Sequence, residues 1–367
     1  MKGDVFLSAQ EILKQALIKK QSHIKIEKCT SKLEVIFRTV LSDEPRLLIC
    51  LESYKYTMLY GITKIIKDYE IDITYRENVP DDMKDIILDR GEFDVRNLLK
   101  GNYPATVFVV TDDVDRFQKH LNQKMSYIIS SFEGLVGWEI KYWQLDSLSS
   151  DYAVRLIFQY MMPENELKIM KNKTNFEVKR IWRKILGNAN VPIFVKPFLA
   201  FSYLTQEVKY DEKAAKELAL DDKHVPSDPI PHLSYGPLVE NRGICSGLAW
   251  AFKKMMDDVG IECITVGGYL REDQSIGHAW NIVKLGGQYY HIDPTSGIKN
   301  VGVYVDKLLK DDDDYFLTHI WNIRDYPSAK GSKLDYDVIE DFLAEKGNEF
   351  LDAGADEKYM FPNNIIE

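Results

Sequence analysis

The sequence GHAWNIVKLGGQYYHIDPTSG (Gly277–Gly297) contains a histidine and an aspartate on two short runs of strand-forming residues, which a Gly-Gly pair separates. Two such runs joined by Gly286 and Gly287 predict a β-hairpin with a two-residue turn. Both turn residues must adopt positive φ, and glycine does so without a steric penalty. We therefore predict an antiparallel hairpin over this segment.

The length of the turn fixes the register of the hairpin, and the register decides which side chains share a face. Counting back from the turn places Trp280 opposite Asp293. His278 then pairs with Thr295, and all four side chains project to one side. His278 and Asp293 become diagonal neighbours, with backbones about 7–8 Å apart, so their side chains can hydrogen-bond. The other face is apolar and is expected to turn to the core: Val283, Leu285, Tyr290 and Ile292.

A cysteine at a predicted helix start supplies the nucleophile that a His–Asp pair lacks. In NRGICSGLAWAFKKMMDDVG (Asn241–Gly260), apolar residues recur every three and four positions, which predicts an amphipathic helix. Cys245 lies at its first turn, where unsatisfied N–H groups and the helix dipole stabilise a thiolate. We predict Cys245 as nucleophile, His278 as general base and acid, and Asp293 as the carboxylate that orients the imidazole.

Three neighbouring residues have competing interpretations. Tyr235 is a candidate oxyanion donor beside the backbone N–H of Cys245, although packing is the more common role for a loop tyrosine. Trp280 either lines the substrate cleft or packs. His291 shares the predicted face of His278 and is the rival general base.

Zinc binding is the rival chemistry, because Cys245, His278 and Asp293 are all acceptable zinc ligands. Zinc sites usually contain two ligands that are close in sequence. No two of these three residues are close in sequence, so we favour the thiol mechanism. The other cysteines show no CxxC spacing and are interpreted as packing residues. They are Cys29, Cys50 and Cys263.

Composition and charge restrict the classes of partner. A formal net charge of -10 argues against a nucleic-acid or anionic-membrane surface, since both require clustered Lys and Arg. No apolar run is long enough to insert in a bilayer. The first residues lack the apolar stretch of a secretion signal, which is typical of a cytoplasmic protein. A chain trimmed at its N-terminus would look the same, so a secreted or cell-surface location stays open.

The 367 residues divide into three regions by their sequence pattern. Residues 1–163 alternate helical and strand-like patterns and form an N-terminal α/β region. Residues 164–330 contain the site motifs, and residues 331–367 form a polar tail. Apolar and polar residues alternate in two predicted strands of the first region, Tyr69–Tyr75 and Tyr152–Phe158, and each strand precedes a proline at the same distance. This indicates two copies of one module, about 1–80 and 81–163, unless the pattern recurs by chance.

The site motifs resemble those of the transglutaminase-like superfamily. The family pattern is a Gly-x-Cys-x-Gly helix start, a His-Ala-Trp-Asn strand and a Tyr-x-x-Asp-Pro-Thr strand, and all three occur here in order. FSYLTQEVKYD (Phe201–Asp211) and SYGPLVENRG (Ser234–Gly243) are similar to the helix and loop that precede this core. The resemblance implies an α+β fold with a papain-like transglutaminase core, in which the cysteine helix packs on an antiparallel sheet that carries His and Asp.

The resemblance also implies thiol-dependent acyl transfer on amide bonds through a thioester intermediate. Hydrolysis of an amide in a protein or peptide substrate is our first expectation, because water needs no dedicated acceptor site. Cross-linking of glutamine to an amine is the second. A non-catalytic binding protein with the same fold is the third. We expect no cofactor. The sequence has no recognisable calcium-binding loop, so calcium dependence is not implied.

Overall fold

The computed structural model describes most of the chain, with gaps between these ranges: 8–43, 47, 51–60, 67–75, 87–89, 106–144, 152–220, 226–275, 277–298, 303–363 and 365–366. The chain forms two compact units, and the first comprises Met1–Asn97, Ala105–His120 and Glu139–Ile157. The second comprises Leu98–Pro104, Leu121–Trp138 and Phe158–Glu367.

The first unit contains a three-stranded antiparallel sheet in the order β1-β3-β2. Its strands are β1 (His23–Cys29), β2 (Leu51–Tyr60) and β3 (Lys67–Tyr75), and its helices are α1 (Ala9–Ile18) and α2 (Leu33–Asp43). The Ser8 side chain accepts the N–H of Glu11, which caps α1. The alternation expected on β3 is present, because Tyr69, Ile71 and Ile73 are buried against the two helices.

A second sheet repeats part of this topology. Its strands are β4 (Ile87–Asp89), β5 (Thr106–Thr111), β6 (Leu135–Gln144) and β7 (Tyr152–Tyr160), in the order β4-β5-β7-β6, with helices α3 (Val114–Gln123) and α4 (Met125–Ser131). In the first sheet β1 is followed by α2, β2 and β3, and in the second sheet β5 is followed by α3, α4, β6 and β7. In each of these sets the last strand lies between the other two strands. The duplication stays a prediction.

The second unit contains a five-stranded antiparallel sheet in the order β14-β12-β11-β10-β15. Its strands are β10 (Cys263–Leu270), β11 (Gly277–Leu285), β12 (Gln288–Ile292), β14 (Leu308–Lys310) and β15 (His319–Ile320). The main helices are α5 (Glu164–Leu186), α6 (Lys196–Glu207), α7 (Glu212–Leu220) and α8 (Cys245–Asp258).

Several short elements complete the second unit. They are β8 (Lys209–Tyr210), β9 (Arg242–Gly243), β13 (Val303–Tyr304), β16 (Ile365–Ile366), α9 (Pro294–Ile298), α10 (Asp312–Phe316), α11 (Tyr336–Asp352), α12 (Glu357–Met360), 3-10 turns at Ile230–His232 and Val305–Lys307, and a π-turn at Gly236–Glu240. None of the helices in the described part of the chain is both long and apolar enough to cross a bilayer.

The hairpin of β11 and β12 has the predicted turn and register. Gly286 and Gly287 have φ of 55° and 81°, and Leu285 pairs with Gln288. The second strand ends earlier than expected, because Pro294 starts α9, and proline at a helix start has φ already fixed for the helix. Thr295 therefore lies in α9, and its predicted position opposite His278 was wrong.

Helix α8 packs on β10, β11 and α6 and so positions its first residue against the sheet. Its apolar face is fully buried, as its periodicity predicted: Leu248, Ala249, Phe252, Met255 and Met256. Burial of each large apolar side chain contributes about 1.5–3 kcal/mol, so this face fixes the helix firmly.

Residues 331–367 are more ordered than the weak helix pattern of the sequence indicated. Asp335 caps α11 by accepting the N–H of Val338. Ile339 and Leu343 of α11 and Tyr359 of α12 join the core that contains α8. The C-terminal segment is thus part of the second unit's core.

Gly247, in the first turn of α8, leaves no room for a side chain. A Cβ there would lie 2.2 Å from the carbonyl oxygen of Pro231, and a backbone atom cannot rotate away. We expect Gly247→Ala to lower the free energy of unfolding by about 1–3 kcal/mol, the usual cost of overpacking. Urea unfolding followed by tryptophan fluorescence measures the change.

Gly277→Ala is the matched control, since a Cβ at Gly277 meets no atom within 4 Å. It should change stability by under about 0.5 kcal/mol. Equal unfolding midpoints for the two variants would contradict the crowding at Gly247.

Candidate active site

Cys245 is the first residue of α8 and is almost buried, with 6% of its surface exposed. Ile244 before it is extended and donates its N–H to the carbonyl of Pro231 at 3.0 Å, which fixes where the helix begins. The His278 imidazole and the backbone N–H of Ala279 are near enough to the thiol to stabilise its thiolate form. The sulfur is therefore held by both the helix start and strand β11.

His278 lies on β11 with 9% of its surface exposed. Its Nε2 is 2.9 Å from Oδ2 of Asp293. This hydrogen bond leaves Nδ1 for the sulfur of Cys245. The structure thus brings the three predicted residues together, although they come from α8, β11 and the loop after β12.

Asp293 is 3% exposed and is oriented from three sides. Its Oδ1 accepts the N–H of Thr295 at 2.9 Å, and its own N–H donates to the carbonyl of Lys307 at 3.0 Å. Its Oδ2 faces His278 and also Nε2 of His319, at 3.5 Å. Burial alone would raise the pKa of the carboxyl, but the two imidazoles outweigh it and hold the pKa well below its ordinary value.

The electrostatics favour a thiolate–imidazolium pair. Burial acts to raise the pKa of the Cys245 thiol, but the His278 imidazole and the N–H of Ala279 bring it below its ordinary value. Burial also acts to lower the pKa of His278, but the charge and hydrogen bond of Asp293 raise it above its ordinary value. Both pKa shifts favour the proton on the imidazole over the proton on the sulfur.

Trp280 is fully buried, at 0% exposure, so it packs under the site and does not line an open cleft. Its ring lies nearly parallel to that of His278, with centroids 6.0 Å apart. Its Nε1–H donates to Nδ1 of His291 at 3.0 Å, and Nε2 of His291 is 3.0 Å from Asp312. Both nitrogens of His291 are thus occupied, which argues against its role as the rival base.

Tyr235 lies in a different cluster from the thiol. Its half-buried ring packs against Leu167 and Leu233, with the Lys173 ammonium 6.0 Å from the ring centroid. This placement favours the packing role over that of an oxyanion donor.

Tyr210 is a site residue that the sequence analysis missed. It lies on β8, which pairs in parallel with β9, so Tyr210 is opposite Gly243, just before the nucleophile. Burial raises the pKa of its hydroxyl most, and the negative charge of Cys245 raises it further. The only sequence signal was its position in FSYLTQEVKYD, the segment similar to the helix before the family core.

An ion cluster holds the two short strands β8 and β9 together. The guanidinium of Arg242 contacts Asp211 at 3.0 Å, Asp228 at 2.7 Å and Glu240 at 3.0 Å. Because Asp211 follows Tyr210 directly, this cluster sets the distance between the tyrosine and the start of α8.

A cavity of about 530 Å³ opens onto the imidazole and carboxylate side of the site. His278, Asp293 and His319 line it, together with Lys307 and the exposed side chain of Leu317. His319, at 1% exposure, is the second site residue that the sequence analysis missed, since it was seen only as part of a possible last strand.

Comparison with known proteins identifies the core that carries this site. Residues 179–294 match the sequence profile of the transglutaminase-like superfamily. The mouse protein Kyphoscoliosis peptidase is 30% identical over 129 residues, which are 32% of this chain and 18% of that protein. This chain thus spans less than a fifth of the length of that relative.

Two solved structures overlap with this chain at low similarity. A protein described as a TGase has a TM-score of 0.30 and 14% identity, and the overlap covers 58% of this chain and 59% of that one. A candidate cysteine protease from Cytophaga hutchinsonii has a TM-score of 0.26 and 13% identity, over 43% and 62% of the two chains. Overlaps this weak support no inference about activity.

The profile match includes Cys245, His278 and Asp293 and confirms the resemblance and the mixed helix and sheet fold that the motifs predicted. Residues 179–294 of the chain therefore form a transglutaminase-like domain.

Proposed function

We propose that Cys245, His278 and Asp293 form a catalytic triad that hydrolyses amide bonds in a protein or peptide substrate. The observation that carries this proposal is the buried hydrogen bond between His278 and Asp293, with Cys245 at the start of α8 beside the imidazole. A thiolate beside an imidazolium is an activated nucleophile at neutral pH. The word peptidase in the name of the mouse relative is consistent with this reaction.

In the first half of the reaction the Cys245 sulfur attacks the substrate carbonyl carbon, and the C=O electron pair moves onto the oxygen. The backbone N–H of Cys245 and the hydroxyl of Tyr210 are the donors we assign to this oxyanion. The Nδ1 proton of His278 then passes to the leaving amine as the C–N bond breaks, which leaves a thioester on Cys245.

In the second half His278 takes a proton from water, and the hydroxide attacks the thioester carbon. The C–S bond breaks, the acid product leaves, and the proton on His278 restores the thiolate–imidazolium pair. Asp293 keeps Nε2 protonated throughout, so Nδ1 remains the nitrogen that exchanges the proton.

Alkylation of Cys245 tests the thiolate directly. We expect iodoacetamide to modify Cys245 rapidly at about pH 6. At this pH an ordinary thiol is almost entirely protonated, and the alkylation rate of such a thiol rises about tenfold for each pH unit. The rate at Cys245 should fall only when the pH drops below the lowered pKa of the thiol. Mass spectrometry of the modified peptide measures the rate at each pH.

Two controls accompany this measurement. Cys263 is buried in the core with its thiol pKa raised by burial, so it should remain unmodified in the native protein. Asp293→Asn removes the charge that supports the imidazolium, so the profile of Cys245 should shift to higher pH. If Cys245 reacted no faster than an ordinary thiol at pH 6, the proposed function would fail and a binding role would be favoured.

Tyr210→Phe removes one of the two assigned oxyanion donors. We expect kcat for p-nitrophenyl acetate to fall by about 10- to 100-fold, because an oxyanion donor acts on the transition state rather than on the thiolate. The alkylation rate of Cys245 by iodoacetamide should change little, since alkylation forms no oxyanion.

Tyr235→Phe is the matched control for Tyr210→Phe and should leave kcat unchanged. A large loss of kcat in Tyr235→Phe, with none in Tyr210→Phe, would reverse the assignment of the donor.

The choice between hydrolysis and transfer depends on the acceptor. With a glutamine-containing peptide and dansylcadaverine, we expect the deamidated or cleaved acid and no fluorescent conjugate. Mass spectrometry distinguishes the products. A Cys245-dependent conjugate would instead identify a cross-linking transglutaminase.

A further inference from the structure

A second imidazole on the catalytic carboxylate has no role in the proposed reaction. His319 is buried on the edge strand β15, and its Nε2 points to Oδ2 of Asp293 at 3.5 Å. This distance is at the outer limit of a hydrogen bond, and Nε2 has no other partner among the described residues. An unpartnered nitrogen of a buried imidazole is a group that a ligand can satisfy.

The spacing of three ligand atoms around this nitrogen fits a metal ion. One ring nitrogen of His278, one carboxylate oxygen of Asp293 and one ring nitrogen of His319 all lie within 4.8 Å of one another. Two of the three separations are 2.9 Å and 3.5 Å. Zinc bonds of about 2.0–2.1 Å in tetrahedral geometry place ligand atoms about 3.3 Å apart. The two separations lie on either side of this value, so the carboxylate and each imidazole have a spacing close to the one that zinc requires.

The surroundings complete such a site. Nδ1 of His319 is 2.8 Å from the hydroxyl of Thr318. If Nδ1 donates to this hydroxyl, the lone pair of Nε2 is free for a metal, which is the usual arrangement of a metal-binding histidine. The cavity of about 530 Å³ reaches all three ligands and leaves space for a water as the fourth.

We propose that His278, Asp293 and His319 bind a divalent transition-metal ion such as Zn²⁺, and that the bound metal inhibits the enzyme. This inference rests on the proposed function, because inhibition requires His278 to be the general base. On binding, the metal replaces the proton on Nε2 of His278, which passes to solvent. The remaining proton is on Nδ1, so the imidazole can no longer accept a proton from water.

The zinc site differs from the one that the sequence first suggested. The three ligands here exclude the sulfur of Cys245, which lies on the other side of the imidazole. His319 replaces it and comes from a strand distant in sequence, so ligand spacing along the chain gave no signal for this site.

Cobalt binding to the untagged full-length protein tests the proposal without relying on activity. Co²⁺ in a tetrahedral site has visible absorption bands, and Zn²⁺ should displace it with a stoichiometry of one per chain. We expect His319→Ala to weaken the affinity for Zn²⁺ in calorimetric titration by at least about 100-fold, since one of three protein ligands is lost. His319→Gln repeats the test if His319→Ala unfolds.

His23→Ala is the matched control, since His23 pairs with Asp72 on the surface of the first unit at 2.7 Å. It should not change the affinity for Zn²⁺. No cobalt bands in the wild type, or unchanged affinity in His319→Ala, would overturn the metal site. A sulfur-to-cobalt charge-transfer band would also overturn it, because the metal would then be on Cys245.

The iodoacetamide rate of metal-free protein separates the two proposals. If Cys245 is rapidly alkylated and no metal binds, the catalytic proposal stands and the metal site fails. If metal binds but Cys245 is not activated, the site exists and its inhibitory role fails with the proposed function.

Discussion

The hydrogen bond between His278 and Asp293 is the interaction on which the site depends. The 2.9 Å contact fixes the tautomer of the imidazole and directs its other nitrogen to the sulfur. The charge of Asp293 also raises the pKa of the imidazole, which favours the protonated ring beside the sulfur. Without it the buried sulfur would have no stable counterion, because burial disfavours an isolated charge.

The surrounding structure fixes the groups on either side of the His278 imidazole, which are the sulfur and the Trp280 ring. The apolar face of α8 anchors the helix in the core, so the sulfur has a fixed position relative to the sheet. Beneath the imidazole, the buried Trp280 ring is held by His291, which in turn is held by Asp312. The sequence analysis considered His291 as a competitor of His278, but its contacts make it a support for the ring on which His278 stacks.

The parts of the site that sequence predicted are those set by local rules. A two-glycine turn admits few registers, so the face shared by His278, Trp280 and His291 followed directly from residue counting. The start of α8 followed from the spacing of its apolar residues. The early end of β12 was missed because Pro294 favours a helix start over strand continuation.

The remaining features depend on contacts between segments that are distant in sequence. His319 reaches Asp293 from a two-residue strand, and Tyr210 reaches the nucleophile through the pairing of β8 with β9. The strands that carry His319 and Tyr210 are too short to show a recognisable periodicity in the sequence. The burial of Trp280 likewise results from the packing of Tyr315 and Trp321 around it, which no local pattern encodes.

The ion cluster around Arg242 gives one part of the site a different physical character from the rest. The sulfur is positioned by the apolar packing of α8 and the imidazole by a buried hydrogen bond, and dissolved salt weakens neither of them much. The tyrosine beside them is positioned by one cation and three carboxylates that are partly open to solvent. Dissolved salt weakens ion pairs that are partly exposed to solvent more than it weakens buried contacts. Ionic strength therefore acts on the position of Tyr210, the oxyanion donor that we propose, more than on the positions of Cys245 and His278.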